Sequence, residues 1–166
     1  TGVVIVVAIL IGVGAAVARW WVIEQAKTPY ETSGELTSEV AASERIFWME
    51  RLRQMEPRRA YDDFLQRYGS VDYSIQHPLA HILGEAVYEV MKLDGVDVCD
   101  WIVSTGCMHG LYSMAIFDYG AEIVGKLDDF CLNTTDFKYL TCQHGIGHGL
   151  LYNEGYELGN LLDALT

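Results

Sequence analysis

The sequence predicts an all-α protein: one N-terminal transmembrane helix, then a compact helical domain built from degenerate helical-hairpin repeats. Three observations carry this expectation. The first residues form one uninterrupted apolar block. Beyond it, helix-starting residues and helix-stopping Gly or Pro recur at helical spacing, with no strand-like alternation of useful length. A Cys/His-Gly motif then returns at intervals that suit helical hairpins. The expected organisation is a transmembrane anchor over 1–24, a linker over 25–36 and an all-α domain over 37–166, with its Cys/His-rich part at 77–152.

Val3 to Ala18 is sixteen residues without a charge, and Arg19-Trp20-Trp21-Val22-Ile23 extends it to about a bilayer's thickness. Ala16-Val17-Ala18 resembles a signal-peptide cleavage site, so a leader peptide is the rival reading. Trp20 and Trp21 beside Arg19 favour an anchor, as an aromatic belt with a snorkelling cation at the lipid boundary. Ala8, Gly12 and Ala16 recur every four residues and line one face, where another helix could approach closely. The expected partners are membrane protein subunits, met through this helix, and the bilayer itself.

After a polar linker (Thr28 to Gly34), a helix is expected from Thr37 or Ser38 to about Glu56, with Val40, Phe47, Trp48 and Leu52 among its apolar positions. Pro57 suits the first turn of a second helix through Tyr68, closed by Gly69. A third spans about Pro78 to Leu93, and a fourth about Ser104 to Tyr119, stopped by Gly120. A shorter helix covers Ala121 to Phe130, a fifth long one about Thr141 to Asn153, and a last one begins near Tyr156.

The net charge of −12 would repel phosphate, so nucleic acid is not an expected partner. The charge is uneven. Residues 19–67 set eight Lys/Arg against nine carboxylates, whereas from 68 onward only Lys92, Lys126 and Lys138 face fourteen. Arg51, Arg53, Arg58 and Arg59 form a basic cluster that reads as solvated surface, with lipid headgroups or an acidic partner as the alternative.

All four cysteines fall in the acidic half, as Cys99-x7-Cys107-Met-His-Gly and Cys131-x10-Cys142-Gln-His-Gly. An even number in matching contexts suggests the local disulfides Cys99–Cys107 and Cys131–Cys142, one of the three pairings that four cysteines allow. Disulfides need an oxidising space. Asn133-Thr134-Thr135 adds a short glycosylation sequon. The expected location is therefore the cell membrane, single-pass, with the domain on the extracytoplasmic side.

All five histidines lie in this half too. His77 and His81 are four apart, as are His144 and His148, so each pair shares a helix face. His81, His109 and His144 open three similar motifs, each followed seven or eight residues later by an aromatic (Tyr88, Phe117, Tyr152). If the three helices pack side by side, their early turns converge. His81, His109, His144 and His148 are then the candidate metal ligands, with His77 and Glu85 as additional ones. With the thiols oxidised, an imidazole-dominated site favours Cu(II) or Zn(II), copper ahead of zinc. With reduced thiols, Cys107, His109, Cys142 and His144 would instead make a softer Cys2His2-like site. The competing reading is structural: early-turn histidines bonded to nearby oxygens, and no metal.

Gly84, Gly110, Gly145, Gly147 and Gly149 sit beside these histidines in predicted helices, where each costs up to about 1 kcal/mol relative to alanine. Close helix packing accounts for them, and so does space left for a ligand. Catalysis has little support: His-Glu-x-x-His, Gly-x-Ser-x-Gly and phosphate-cradling loops are all absent. No Cys-x-x-Cys-His run for haem attachment occurs either.

The Cys-Met-His-Gly and Cys-Gln-His-Gly-Ile-Gly-His-Gly motifs behind an apolar amino terminus resemble membrane-anchored Cys/His-rich proteins of ammonia-oxidising archaea, over residues 77–152. The resemblance implies an archaeal envelope protein, and an accessory subunit of a copper-dependent membrane monooxygenase of the ammonia monooxygenase type. The expected function is a non-catalytic, membrane-anchored subunit that binds or delivers a metal ion within a larger membrane complex. The alternative is a purely structural subunit of disulfide-stapled helical repeats.

Overall fold

A computed structural model describes residues 26–100, 105–133 and 136–153. The expected anchor at 1–24, with Ala8, Gly12 and Ala16, and the expected helix from Tyr156 lie outside the described residues. Among the described residues, no helix is long and apolar enough to cross a membrane, and no strand occurs.

The described chain is helical throughout: α1 (Pro29–Ser33), α2 (Ser38–Gln54), α3 (Pro57–Tyr68), α4 (Tyr73–Met91), α5 (Gly106–Tyr119), α6 (Val124–Leu132) and α7 (Asp136–Asn153), with 3-10 turns at Lys92–Gly95 and Gly120–Ile123. α5 is the centre. It packs against α4 on one flank and α7 on another, while α2 covers α4. Gly106 to Tyr112 are all buried, the pattern of a helix with no solvent face along its first turns.

Several starts differ from the sequence reading. The expected linker at 25–36 contains α1, whose N-cap Thr28 and Glu31 form a reciprocal capping box. This segment is tied into the domain: Thr28 is fully buried and hydrogen-bonds Tyr68, and the Tyr30 amide donates to Glu44 at 2.7 Å. Glu44 also accepts from the Trp48 indole at 2.8 Å and the Tyr68 hydroxyl at 3.1 Å, so its buried carboxylate is well satisfied.

The basic cluster is only partly surface. Arg51 is 2 % exposed and pairs with Asp63. Asp63 also accepts from Arg67 at 2.9 Å, and Arg67 reaches Glu31 at 2.8 Å. Arg58 donates to Asp100 at 2.8 Å. Arg51 and Arg67 tie α1, α2 and α3 together, because a guanidinium taken from water needs a carboxylate partner, and the exposed Arg58 ties α3 to the loop before α5.

Both local disulfides are present, Cys99–Cys107 and Cys131–Cys142, each with Cα atoms 5.5 Å apart. No cysteine is free, so the reduced Cys2His2-like arrangement does not occur. One bridge ties the loop after α4 to the first turn of α5, and the other ties α6 to α7. Asn133 is exposed at the end of α6, and its amide donates to the Asp129 carbonyl at 2.9 Å.

Candidate metal centre

α4 begins at Tyr73, five residues before the expected start at Pro78. Asp72 is the N-cap and accepts from the Ser74 amide at 2.9 Å and the Ser74 hydroxyl at 2.6 Å. Pro78 is exposed inside the helix. The early start places His77 on the helix, one turn before His81. Their Nε2 atoms are 3.1 Å apart.

Glycines set the distance between helices. A Cβ on Gly84 would lie 1.9 Å from the Cys107 carbonyl oxygen, and one on Gly110 would lie 2.0 Å from that of His81. α4 and α5 therefore cross backbone on backbone, with contacts that advance the same way along both helices (His77 to Gly106, His81 to Gly110). A Cβ on Gly145 would lie 2.6 Å from His109 Cδ2, and one on Gly149 2.6 Å from Ile116 Cδ1. These seat α7 against α5 in the same sense. Three helices running alike bring the first turn of α5 beside the middle turns of α4 and α7, and so their histidines, to one place. Gly147 meets nothing within 4 Å and takes no part in the packing.

His109 is the hub. Its ring centroid lies 5.6 Å from that of His77, 5.2 Å from His81, 5.4 Å from His144 and 5.4 Å from His148. The His81 and His148 rings are 6.0 Å apart. One ring nitrogen from each of His77, His81 and His109 lies within 4.8 Å of the other two. These three histidines lie close enough together to hold a metal ion.

His109 is 1 % exposed. Its Nε2 faces the Thr105 hydroxyl at 2.8 Å and the Thr141 carbonyl at 3.4 Å. A carbonyl only accepts, so the hydrogen-bond pattern assigns the proton to Nε2. Nδ1 then carries the lone pair, and it is buried with no hydrogen-bond partner. An imidazole that donates one nitrogen to a backbone carbonyl and leaves the other bare is oriented as metal-bound histidines are.

Burial, reinforced by the neighbouring imidazoles, pushes His81 down to about 3 and His109 down to about 4. Burial and His144 also lower His148. The rings at the heart of the cluster are therefore neutral near pH 7, the form that binds metal.

Compared with family models, curated proteins and solved structures, the chain matches none.

The residues singled out in the sequence divide as follows. His77, considered an additional ligand, belongs to the tightest group with His81 and His109. His144 and His148 stand at its edge, exposed, with Nε2 atoms 2.9 Å apart. Glu85 is not in the three-histidine group. Its carboxylate lies 3.8 Å from Arg45, and burial raises its pKa against the pull of that guanidinium. It shares with Arg45, His81 and Phe117 the wall of an open cavity of about 330 Å³. The three matching aromatics do not behave alike: Tyr88 is buried, whereas Phe117 and Tyr152 are 65 % and 72 % exposed.

Thr105, Thr141 and Arg45 were not singled out. Thr105 stands four residues before His109, and Thr141 stands three before His144, so an extended repeat (Thr, Cys, His) would have pointed to both. Nothing in the sequence marks Arg45.

Proposed function

We propose that this chain is a membrane-anchored, extracytoplasmic subunit that binds a metal ion, copper ahead of zinc, through its histidine cluster and holds or delivers it within a larger membrane complex. The observation that carries the reading is the close approach of His77, His81 and His109, together with a His109 Nδ1 that is buried and has no hydrogen-bond partner. With metal–nitrogen bonds of about 2.0–2.1 Å, two imidazoles on one tetrahedral ion stand roughly 3.3 Å apart and on a square-planar ion roughly 2.9 Å. The His77–His81 separation of 3.1 Å falls between these values.

The donor set supports the choice of metal. With every cysteine in a disulfide, the cluster offers imidazole alone, which suits Cu(II) and Zn(II) better than the softer Cu(I). The disulfides also favour an oxidising compartment. The apolar run from Val3 to Ala18 supports the anchor, and the small-residue face of Ala8, Gly12 and Ala16 supports a partner helix in the membrane. The motif resemblance favours an archaeal envelope and a complex of the ammonia monooxygenase type.

The competing reading is a structural subunit whose packed imidazoles, mostly edge to face, merely fill a junction between repeats. Elemental analysis of the detergent-purified chain, beside a His109→Ala variant, separates the two. Metal in a fixed ratio to protein, lost in the variant, supports the metal-binding subunit. Metal absent from both after loading with Cu(II) or Zn(II) leaves the structural subunit.

A further inference from the structure

We infer that the cluster is divided, with the exposed His144 and His148 forming a second cation site that receives an incoming ion and passes it by way of His109 to the half-buried His77 and His81. This rests on the metal-binding reading above and adds an entry site to it. Both rings are exposed, and they stand four residues apart on α7, their Nε2 atoms sharing a hydrogen bond at 2.9 Å that a bound cation would replace. That spacing matches two adjacent ligands of one ion with bonds of about 2.0–2.1 Å. No thiolate or carboxylate is needed for such a pair to take up a divalent cation, although two ligands alone hold it weakly and leave positions for water.

The path inward is short. His109 touches the rings of both outer histidines and both inner ones. His81 of the inner group and His148 of the outer pair both line one open cavity of about 240 Å³. An ion exchanging imidazole ligands one at a time could move from His144 and His148 to His81 and His77 without ever being bare. The number of ligands favours inward movement: the outer pair offers two exposed nitrogens, and the inner group offers three within 4.8 Å of one another.

The test uses the full chain in detergent with Cu(II) supplied from a glycine-buffered solution. Wild type should bind two equivalents at saturation. A His144→Ala/His148→Ala variant should bind one, at least tenfold more slowly. A His77→Ala/His81→Ala variant should also bind one, at the wild-type initial rate and with lower affinity. Circular dichroism confirms that each variant is folded, which the exposure of the outer pair favours. A single equivalent in wild type that both variants abolish would mean one undivided site and overturn the inference. So would an outer-pair variant that loads at the wild-type rate and capacity. Wild type that takes up no copper at all would instead overturn the metal-binding reading itself.

Discussion

Gly110 lies so close beneath the carbonyl of His81 that a Cβ there would stand 2.0 Å from the oxygen. That contact, with its counterpart between Gly84 and Cys107, holds α4 against α5 and places His81 beside His109. Gly110→Ala should therefore destabilise the domain by roughly 1–3 kcal/mol, the cost of overpacking against a rigid backbone. Gly147 is a helical glycine with open space around it. Gly147→Ala should stabilise by up to about 1 kcal/mol from helix propensity alone. Thermal denaturation of the two variants should shift in opposite directions. Equal shifts would mean that these glycines do not set the helix spacing.

The buried imidazoles make the stability of the metal-free chain depend on pH. His81 and His109 have pKa values near 3 and 4 when folded, against 6.5 for a free side chain. As pH falls below 6.5 the unfolded chain takes up protons that the folded chain refuses, so stability declines, down to the folded values. Above 6.5 these two groups contribute no slope. Urea midpoints from pH 7.5 to 4 should fall, and a His81→Gln/His109→Gln variant should fall less steeply. Carboxylates titrate in the lower part of this range too, and the comparison with the variant isolates the histidines.

Much of this geometry was legible from residue types. The glycine-flanked histidines of three helices converge because the glycines leave nothing else between the backbones, although only His109 lies in a first turn and His81 and His144 lie mid-helix. Matching Cys contexts likewise anticipated the two bridges. The starts of α4 and α7 were harder to read. Pro78 resembles a helix opening, since proline suits a first turn, yet Asp72 caps the helix earlier and so moves His77 into the central group. Thr28 to Gly34 looks like a linker because it is short and polar. Its polar atoms instead satisfy Glu44, Tyr68 and Arg67, residues distant in sequence. Burial of Arg51 depends on such a remote partner too, which no local pattern reveals.

That partner is Asp63. Asp63→Asn would remove the carboxylate charge that pairs with the Arg51 guanidinium, which is 2 % exposed. The expected loss is about 3 kcal/mol, typical of breaking one side of a buried ion pair. Arg53, which is exposed, provides the control: Arg53→Gln should change the denaturation midpoint by no more than about 0.5 kcal/mol equivalent. Similar effects for both would contradict a structural role for the Arg51 pair.

The bridges make a further expectation. Closing loops of 8 and 11 residues, each disulfide should contribute about 2.5 kcal/mol by constraining the unfolded chain. Cys131→Ser/Cys142→Ser should lower stability by that amount. Alkylation of the intact unfolded protein should add no mass without reductant and four adducts after reduction, one for each cysteine. Adducts without reductant would show that free thiols lie beside the histidines.

X-ray absorption at the edge of the bound metal tests the histidine site most directly. Copper or zinc in the loaded chain should show only nitrogen and oxygen neighbours near 2.0–2.1 Å, with the outer-shell scattering of imidazole. A sulfur shell near 2.3 Å, or a loaded chain with no metal edge above background, would contradict it.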